Sequence, residues 1–353
     1  MTPGLVKIRA GLRMHRLSLE RTKQILDAAR DVRVLVVGDI MLDVYLRGSA
    51  SRISPEAPVP VVRVDEEWRA LGGAANVASN VVALGARCDL VGCVGTDRAG
   101  TDLRHELETL GIGTAGLVPL EARPTTVKTR IMARHQQVAR YDHEVDLDLD
   151  GQQCDSVVAR VRELVGNADA LALEDYNKGL LTRAVIQGVL GAAADAGCPV
   201  VVDPKSRHFF DYRGATVFKP NQPELAAALR EPVHADQPAW LTEVRRQIGC
   251  EHLLVTLGEE GMALLTAEGE HIRIPTVARS VYDVSGAGDT VTAVLAVALA
   301  AGASIVAAAI LANHAAGIEV GKAGVATVSA GEIIESVAHS ARTTYVQETT
   351  TKW

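Results

Sequence analysis

Apolar runs recur along this chain between turn residues, and the stretches separating them carry the three-to-four spacing of helices. The run within Val32–Val37 stops at Gly38-Asp39, the pattern of a central parallel strand whose carboxyl end opens onto a site. Similar runs at Leu90–Val94, Ala170–Leu173, Val200–Val202, Thr216–Phe218 and Leu253–Thr256 predict further buried strands. Helical spacing over Ser18–Arg30, and again after Asn76, at Leu225–Leu229 and at Val291–Ala301, predicts helices between or beside them. The alternation predicts an α/β fold: a doubly wound, mostly parallel sheet flanked by helices.

Two stretches break the rhythm. Val59–Asp65 alternates Val with polar positions after prolines, and Thr125–Asp142 has strand-like spacing with many basic residues. Both predict strands of a small separate β-sheet, a lid drawn from about 44–66 and 117–142. The organisation expected is an N-terminal extension with a helix (1–30), a body over 31–340, and a polar, aperiodic tail over 341–353 expected to be disordered. Met14 offers a second start. The apolar stretch Val291–Ala301 falls short of the ~20 residues a bilayer needs, so it is expected as a core helix.

Composition narrows the partners. A formal net charge of -7 supplies no field to draw nucleic acid or an anionic membrane, so neither is expected and any anionic ligand must be held by local groups. The five cysteines show no CxxC and no Cys/His cluster, which reads as a reduced set in a cytoplasmic protein.

The sharpest chemical feature is Asp283-Val284-Ser285-Gly286-Ala287-Gly288-Asp289-Thr290, followed at once by an apolar helix. Two glycines permit a tight turn, so the amides of Gly286, Ala287 and Gly288 can form an anion hole at the helix mouth. A carboxylate at Asp289 there suits a catalytic base that takes a hydroxyl proton during phosphoryl transfer. The plainer alternative is an ordinary turn with Asp289 as a cap. In Leu71-Gly72-Gly73-Ala74-Ala75-Asn76, small residues admit a ligand close to the backbone, and the Asn76 amide can donate to and accept from sugar hydroxyls. Packing of a helix start explains the same residues. Asp43, beyond the first strand, suits vicinal hydroxyls; Asp39 is either a ligand contact or an orienter of its loop.

Asn221 and Glu224 follow another strand and suit a water-bridged magnesium ion, or equally a helix cap. Thr256, Gly258 and Gly261 form a glycine turn that can shape a wall against a nucleotide, with Asn313 assigned to the same side; a plain hairpin is the alternative. Lys178 and Lys205 follow strand ends where a cation meets phosphate, although solvated lysines are commoner. Lys128, Arg130, Arg134 and Arg140 give the lid a basic face, with Arg130 and Arg140 the preferred pair for a phosphate already on the sugar. There is no GxGxxG after the first strand and no GxxxxGK[ST], which argues against a dinucleotide-binding oxidoreductase and a P-loop enzyme.

The segments Gly72–Asn76 and Asp283–Asp289 resemble the two signatures of the ribokinase-like (PfkB) carbohydrate kinases, and the resemblance extends over residues 31 to 340. Within that family, Val37–Asp43, Ser51–Val62, Asp175–Gly179 and Tyr282–Asp289 are similar to the D-glycero-β-D-manno-heptose 7-phosphate kinases, Ser51–Val62 most specifically. The chain differs from that subgroup's usual residues at Val44, Asn177 and Thr256-Leu257-Gly258. The resemblance implies ATP as co-substrate, Mg2+ near Asn221 and Glu224, Asp289 as base, and a homodimer joined through the lids. The reaction implied is phosphorylation of O1 of heptose 7-phosphate on the route to ADP-heptose. A requirement for a monovalent cation is left open. In many relatives a nucleotidyltransferase domain follows the kinase; a separate nucleotidyltransferase is the expectation here. The rival readings are another sugar or phosphosugar kinase of the fructose-phosphate or ribose class, and a non-catalytic sugar-binding protein on the same scaffold.

Overall fold

The computed structural model describes residues 17–350, apart from His135 and Arg279, and gives only the backbone for 341–350. The alternative start at Met14, the rest of 1–16, and 351–353 lie outside the described residues. Helix α1 (Leu19–Ala28) leads into β1 (Arg33–Gly38), and a long hairpin, β2 (Ile40–Ile53) and β3 (Pro60–Gly73), follows. Then come α2 (Ala74–Ala83), β4 (Arg87–Gly95), α3 (Arg98–Thr109) and β5 (Gly113–Leu120). A second hairpin, β6 (Thr126–Ala133) and β7 (Gln136–His143), precedes α4 (Gly151–Val165), β8 (Ala170–Glu174), α5 (Arg183–Ala196), β9 (Val200–Asp203) and the short β10 (Val217–Phe218). The chain continues through α6 (Gln222–Leu229), α7 (Pro238–Ile248), β11 (His252–Thr256), β12 (Met262–Leu265), β13 (His271–Ile274), α8 (Ala287–Ala300), α9 (Ile305–Glu319) and α10 (Ala330–Thr350).

Among the described residues, the main sheet has nine strands in the order β13-β12-β11-β10-β9-β8-β1-β4-β5. It is parallel from β5 to β11 and antiparallel across β11, β12 and β13. Side chains alternate across it, as a strand's period of two requires. Val34 and Val36 enter one apolar cluster with α1, α2, α8 and α9, while Leu35 and Val37 enter the other with α4, α5 and α7. Helices therefore cover both faces, and every central strand reads as a continuous apolar run.

Local sequence sets the ends of these elements. Ser18, Thr182 and Ser304 cap α1, α5 and α9 through their side-chain oxygens, and Asp150 with Gln153 forms a reciprocal cap on α4. No helix among the described residues is long and apolar enough to cross a membrane.

The small sheet has the order β3-β2-β6-β7. It is wider than 44–66 and 117–142, because β2 and β3 pair from Ile40↔Gly73 outward to Ile53↔Pro60. Residues 117–120 do not belong to it. They lie in β5, paired with β4 at the edge of the main sheet, where Leu117, Val118 and Leu120 are buried. Residues 341–350, expected as an aperiodic tail, continue α10. Once Ile333 and Val337 anchor the first turns in the core, each added residue extends a helix already nucleated.

Candidate active site

Four adjacent strands deliver polar residues to one edge of the main sheet. β1 ends before Asp39, β8 at Glu174, β9 at Asp203 and β10 before Lys219, and all four side chains are buried. Facing them is the mouth of α8, which holds Asp289. Gly286 at its N-cap has φ of 93°, a conformation that side chains rarely adopt, and a Cβ there would lie 3.1 Å from the Asn76 amide nitrogen. Gly288 faces Asp203 and Lys219. The Ala287 amide makes a long bond of 3.5 Å to the Val284 carbonyl, and the other first amides of α8 have no acceptor within the helix, as an anion hole requires.

Asp289 is 3% exposed and held from two sides: Asn76 Nδ2 donates to its Oδ2 at 2.7 Å and the Tyr176 hydroxyl to its Oδ1 at 2.8 Å. Burial, with Asp203 nearby, pushes its pKa up to about 6, although both hydrogen bonds and Lys219 pull it down. A base of that pKa is ionised at neutral pH and close enough to it to take a proton efficiently. Burial also raises the Tyr176 hydroxyl well above its ordinary value, with Asp289 adding to the rise, so it remains a donor.

Glu174, Asp203 and Asp289 bring one oxygen each within 4.8 Å of one another. Lys219 Nζ meets Asp203 Oδ2 at 2.7 Å; burial works to lower its pKa, but Asp203 and Glu174 outweigh that and hold it raised. Glu174 Oε2 is buried with no hydrogen-bond partner, and burial together with Asp203 and Asp289 lifts the Glu174 pKa well above the ordinary carboxylate value. Glu174, Asp203, Lys219 and Tyr176 were not singled out from the sequence. Their signal lies in position, since each sits at, or next to, the carboxyl end of a predicted strand.

The other residues singled out from the sequence fall into two groups. Asp39 serves its own loop: its carboxylate accepts from the amides of Tyr176 (2.8 Å), Lys178 (2.9 Å) and Leu180 (3.3 Å), which fixes the turn after β8 and leaves it as an orienter. Asp43 is 4% exposed and bonded to Arg130 Nη1 at 2.5 Å, and a Cβ on Gly72 would lie 2.6 Å from its Oδ2. Asp43, Lys128, Arg130, Arg140 and Asp142 occupy one face of the lid, because Asp43↔Lys128, Lys128↔Asp142 and Arg130↔Arg140 are cross-strand pairs. Arg130 lies over the Tyr45 ring, and Tyr45 stacks on Trp68. Arg140 is exposed and bonds Asp142. Lys178 pairs with Glu144 at 2.6 Å. Arg123 donates to the carbonyls of Val145, Leu147 and Lys178, tying the chain leaving the lid to the Lys178 loop.

Asn221 and Glu224 form a reciprocal cap on α6: Glu224 N donates to Asn221 Oδ1 at 2.8 Å, and Asn221 N to Glu224 Oε2 at 2.9 Å. The other Glu224 oxygen takes a very short bond from Lys205. Among the described residues, Glu174, Asp203 and Asp289 are the carboxylates grouped closely enough to share an ion, a cluster the sequence did not suggest. Thr256 ends β11 beside Asn221, Gly258 and Gly261 make the β11–β12 turn with positive φ, and the Asn313 amide bonds the Pro275 carbonyl from within α9.

A sheet edge lined with acid, a carboxylate at a helix mouth and a basic lid define a phosphotransferase with an alcohol acceptor. A family model described as pfkB family carbohydrate kinase matches residues 32–330, and the chain belongs to that family. It is 45% identical over 315 residues to the bifunctional protein HldE of Rhodospirillum rubrum, covering 87% of this chain and 62% of that protein. With HldE of Caulobacter vibrioides it shares 46% over 303 residues, covering 85% and 62%. The chain thus spans less than two thirds of the length of these relatives. Its fold is ribokinase-like. The Arabidopsis thaliana ribokinase complexed with ribose and ATP superposes with a TM-score of 0.68 at 21% identity, covering 87% of this chain and 98% of that one. Phosphofructokinase-2 from Escherichia coli in complex with potassium gives 0.74 at 20% identity, covering 87% and 99%.

Proposed function

We propose that this carbohydrate kinase transfers the γ-phosphate of ATP to O1 of D-glycero-β-D-manno-heptose 7-phosphate, yielding the 1,7-bisphosphate used to make ADP-heptose. The observation that carries this reading is Asp289, buried at the mouth of α8 with both oxygens oriented by neutral donors and facing the edge served by the basic lid. The similarity of Ser51–Val62 to heptose 7-phosphate kinases and the HldE relatives support the choice of sugar.

In this reading the sugar lies between Gly72, Gly73, Asn76 and the lid face. Arg130, Lys128 and Arg140 hold the 7-phosphate with Lys178 beside them, and Asp43 meets a sugar hydroxyl while keeping Arg130 aimed. Arg130 retains free guanidinium donors after bonding Asp43, which suits paired contacts to phosphate oxygens. Asp289 accepts the proton of the attacking hydroxyl, and the amides of Gly286, Ala287 and Gly288 receive the equatorial oxygens of the transferring group. The nucleotide follows the carboxyl ends of β9 to β11, beside Lys205, Asn221, Thr256 and Gly258, with Gly261 and Asn313 shaping the wall behind.

The residues present fit a divalent cation such as Mg2+. Glu174, Asp203 and Asp289 supply hard oxygen donors close together, and Glu174 Oε2 is buried with nothing else to bond. When bound, the cation neutralises phosphate charge; Asn221 and Glu224 sit beside it through their cap. Exposed Ile53, Val59 and Val64 on the β2–β3 hairpin support pairing of two lids in a homodimer.

The test is ADP release across a panel of phosphosugars, followed by NMR of the product. Turnover with heptose 7-phosphate and a product carrying the new phosphate at C1 supports the assignment. Turnover confined to fructose 6-phosphate or ribose rejects it in favour of another kinase of the family, and no turnover with any sugar favours a binding protein.

A further inference from the structure

Tyr176 enters the reading from sequence only as part of the Asp175–Gly179 segment and with no role of its own, yet it is the residue through which the loop after β8 reaches Asp289. Its backbone N–H donates to Asp39 Oδ2 at 2.8 Å, and its hydroxyl donates to Asp289 Oδ1 at 2.8 Å. Two cations sit over its ring: Lys128 Nζ from the lid, 5.9 Å from the centroid, and Lys205 Nζ from the loop after β9, at 5.2 Å. A ring with two cations over it is attracted to both.

The other oxygen of the base is held by Asn76, itself fixed by Asn80, whose amide donates to the Asn76 Oδ1 at 3.2 Å. With one donor on each oxygen, the carboxylate plane of Asp289 is set by residues from α2 and from the β8 loop. A carboxylate has about four acceptor positions, so one per oxygen remains for an incoming hydroxyl.

We propose that Tyr176 is a positioning residue for the phosphoryl transfer: its hydroxyl fixes the Asp289 carboxylate so that the remaining lone pair of Oδ1 points at the acceptor hydroxyl. The inference rests on Asp289 being the base and adds the group that aims it. Tyr176 acts through Asp289, not on the sugar or the nucleotide. Its loss therefore lowers turnover without weakening the binding of either substrate.

Tyr176→Phe removes one oxygen and keeps the ring between the lysines. With ATP and the phosphosugar that gives turnover, kcat falls about 10- to 100-fold, the scale on which a misplaced catalytic group costs rate, while both KM values change less than about two-fold. In an Asp289→Asn background the same change produces no further loss, because the group it aims is gone. A raised KM with kcat intact, an unchanged kcat, or the full loss repeated on top of Asp289→Asn each overturns the proposal. If Tyr176→Phe does not fold, 3-fluorotyrosine placed at 176 in the otherwise unaltered chain reports the same bond. Its fluorine resonance should shift on Asp289→Asn, and an unmoved resonance overturns the proposal. Should Asp289→Asn retain full turnover, the assignment of the base fails first, and the fluorine measurement still tells whether the two side chains are bonded.

Discussion

Glu319, the last residue of α9, is fully buried, and its Oε1 would lie 3.3 Å from a Cβ on Gly286. Burial, then the charges of Asp283 and Asp289, push its pKa from 4.5 up to about 8, with Lys322 opposing. Lys322 is itself committed to Glu332 at 2.6 Å and to the Thr327 carbonyl at 2.7 Å. The folded protein keeps this proton up to about pH 8, whereas the unfolded chain releases it near 4.5. Between those values the unfolded state binds fewer protons, so stability falls as pH rises through the window and levels off above it. At about 1.4 kcal/mol per pH unit the whole window amounts to at most ~5 kcal/mol, and relaxation of the site reduces that to roughly 2–4 kcal/mol. Glu319→Gln keeps the shape and removes the charge. The two proteins should unfold at similar temperatures at pH 5, and the variant should lead by roughly 3–5 °C at pH 9. Glu174 and Asp39 also titrate with raised pKa, but they are common to both proteins and cancel in the difference. Melting curves at pH 5, 7 and 9 decide the matter: a gap that does not change with pH, or a variant less stable at pH 9, refutes the reasoning.

Other outcomes follow from the same geometry. Asp289→Asn should cut kcat by about 10²- to 10⁴-fold in the ADP-release assay, and unchanged turnover would remove it as the base. In the unaltered enzyme kcat/KM should drop as pH falls through about 6, where the Asp289 carboxylate takes up a proton; activity flat down to pH 4 would count against this base. Arg130→Ala strands Asp43, only 4% exposed, and should cost about 3–5 kcal/mol in urea unfolding besides raising KM for a phosphorylated sugar. Arg140→Ala, at an exposed position, should stay within about 0.5 kcal/mol in the same measurement, its effect confined to KM. Glu174→Gln should weaken the rise in melting temperature that Mg2+ produces, and an equal rise in both proteins would remove Glu174 from the cation site.

The sheet was legible because a parallel strand buried on both faces needs an apolar run and little else. The runs around Leu35, Leu171, Val201 and Leu254 mark β1, β8, β9 and β11 directly. β2 was missed in part because its first residues, Ile40–Leu42, are buried like a continuation of β1, while its far half is exposed and polar. β5 was drawn into the lid because only its pairing with β4, three-dimensional information, separates it from β6. Asp289 and Asn76 could be named because glycine spacing marks the turns that carry them. Asn221 and Glu224 carried the same weight in sequence whether they served an ion or capped a helix, and in the fold they form the cap.

The carboxylate row could not be read from spacing at all, since it is a product of strand order. Gly38↔Glu174 and Glu174↔Asp203 are register pairs, and Phe218↔Val202 sets Lys219 level with Asp203. Neighbouring strands lie ~4.8 Å apart, so strands ending at the same height must line up whatever residues terminate them. Here that places two carboxylates side by side, adds Asp289 from α8, and offsets them with a single buried pair, Lys219 on Asp203. The row is buried and sets three carboxyl groups against one amine, and burial with Asp203 and Asp289 lifts the Glu174 pKa well above the ordinary carboxylate value. A triphosphate arriving at such an edge brings further negative charge. Two cations stand near that edge at the Tyr176 ring, Lys205 Nζ at 5.2 Å and the lid's Lys128 Nζ at 5.9 Å from its centroid, and under the proposed function they offset the phosphate charge. One aromatic side chain thus links the lid to Asp289, since Tyr176 lies under Lys128 and donates its hydroxyl to Asp289 Oδ1.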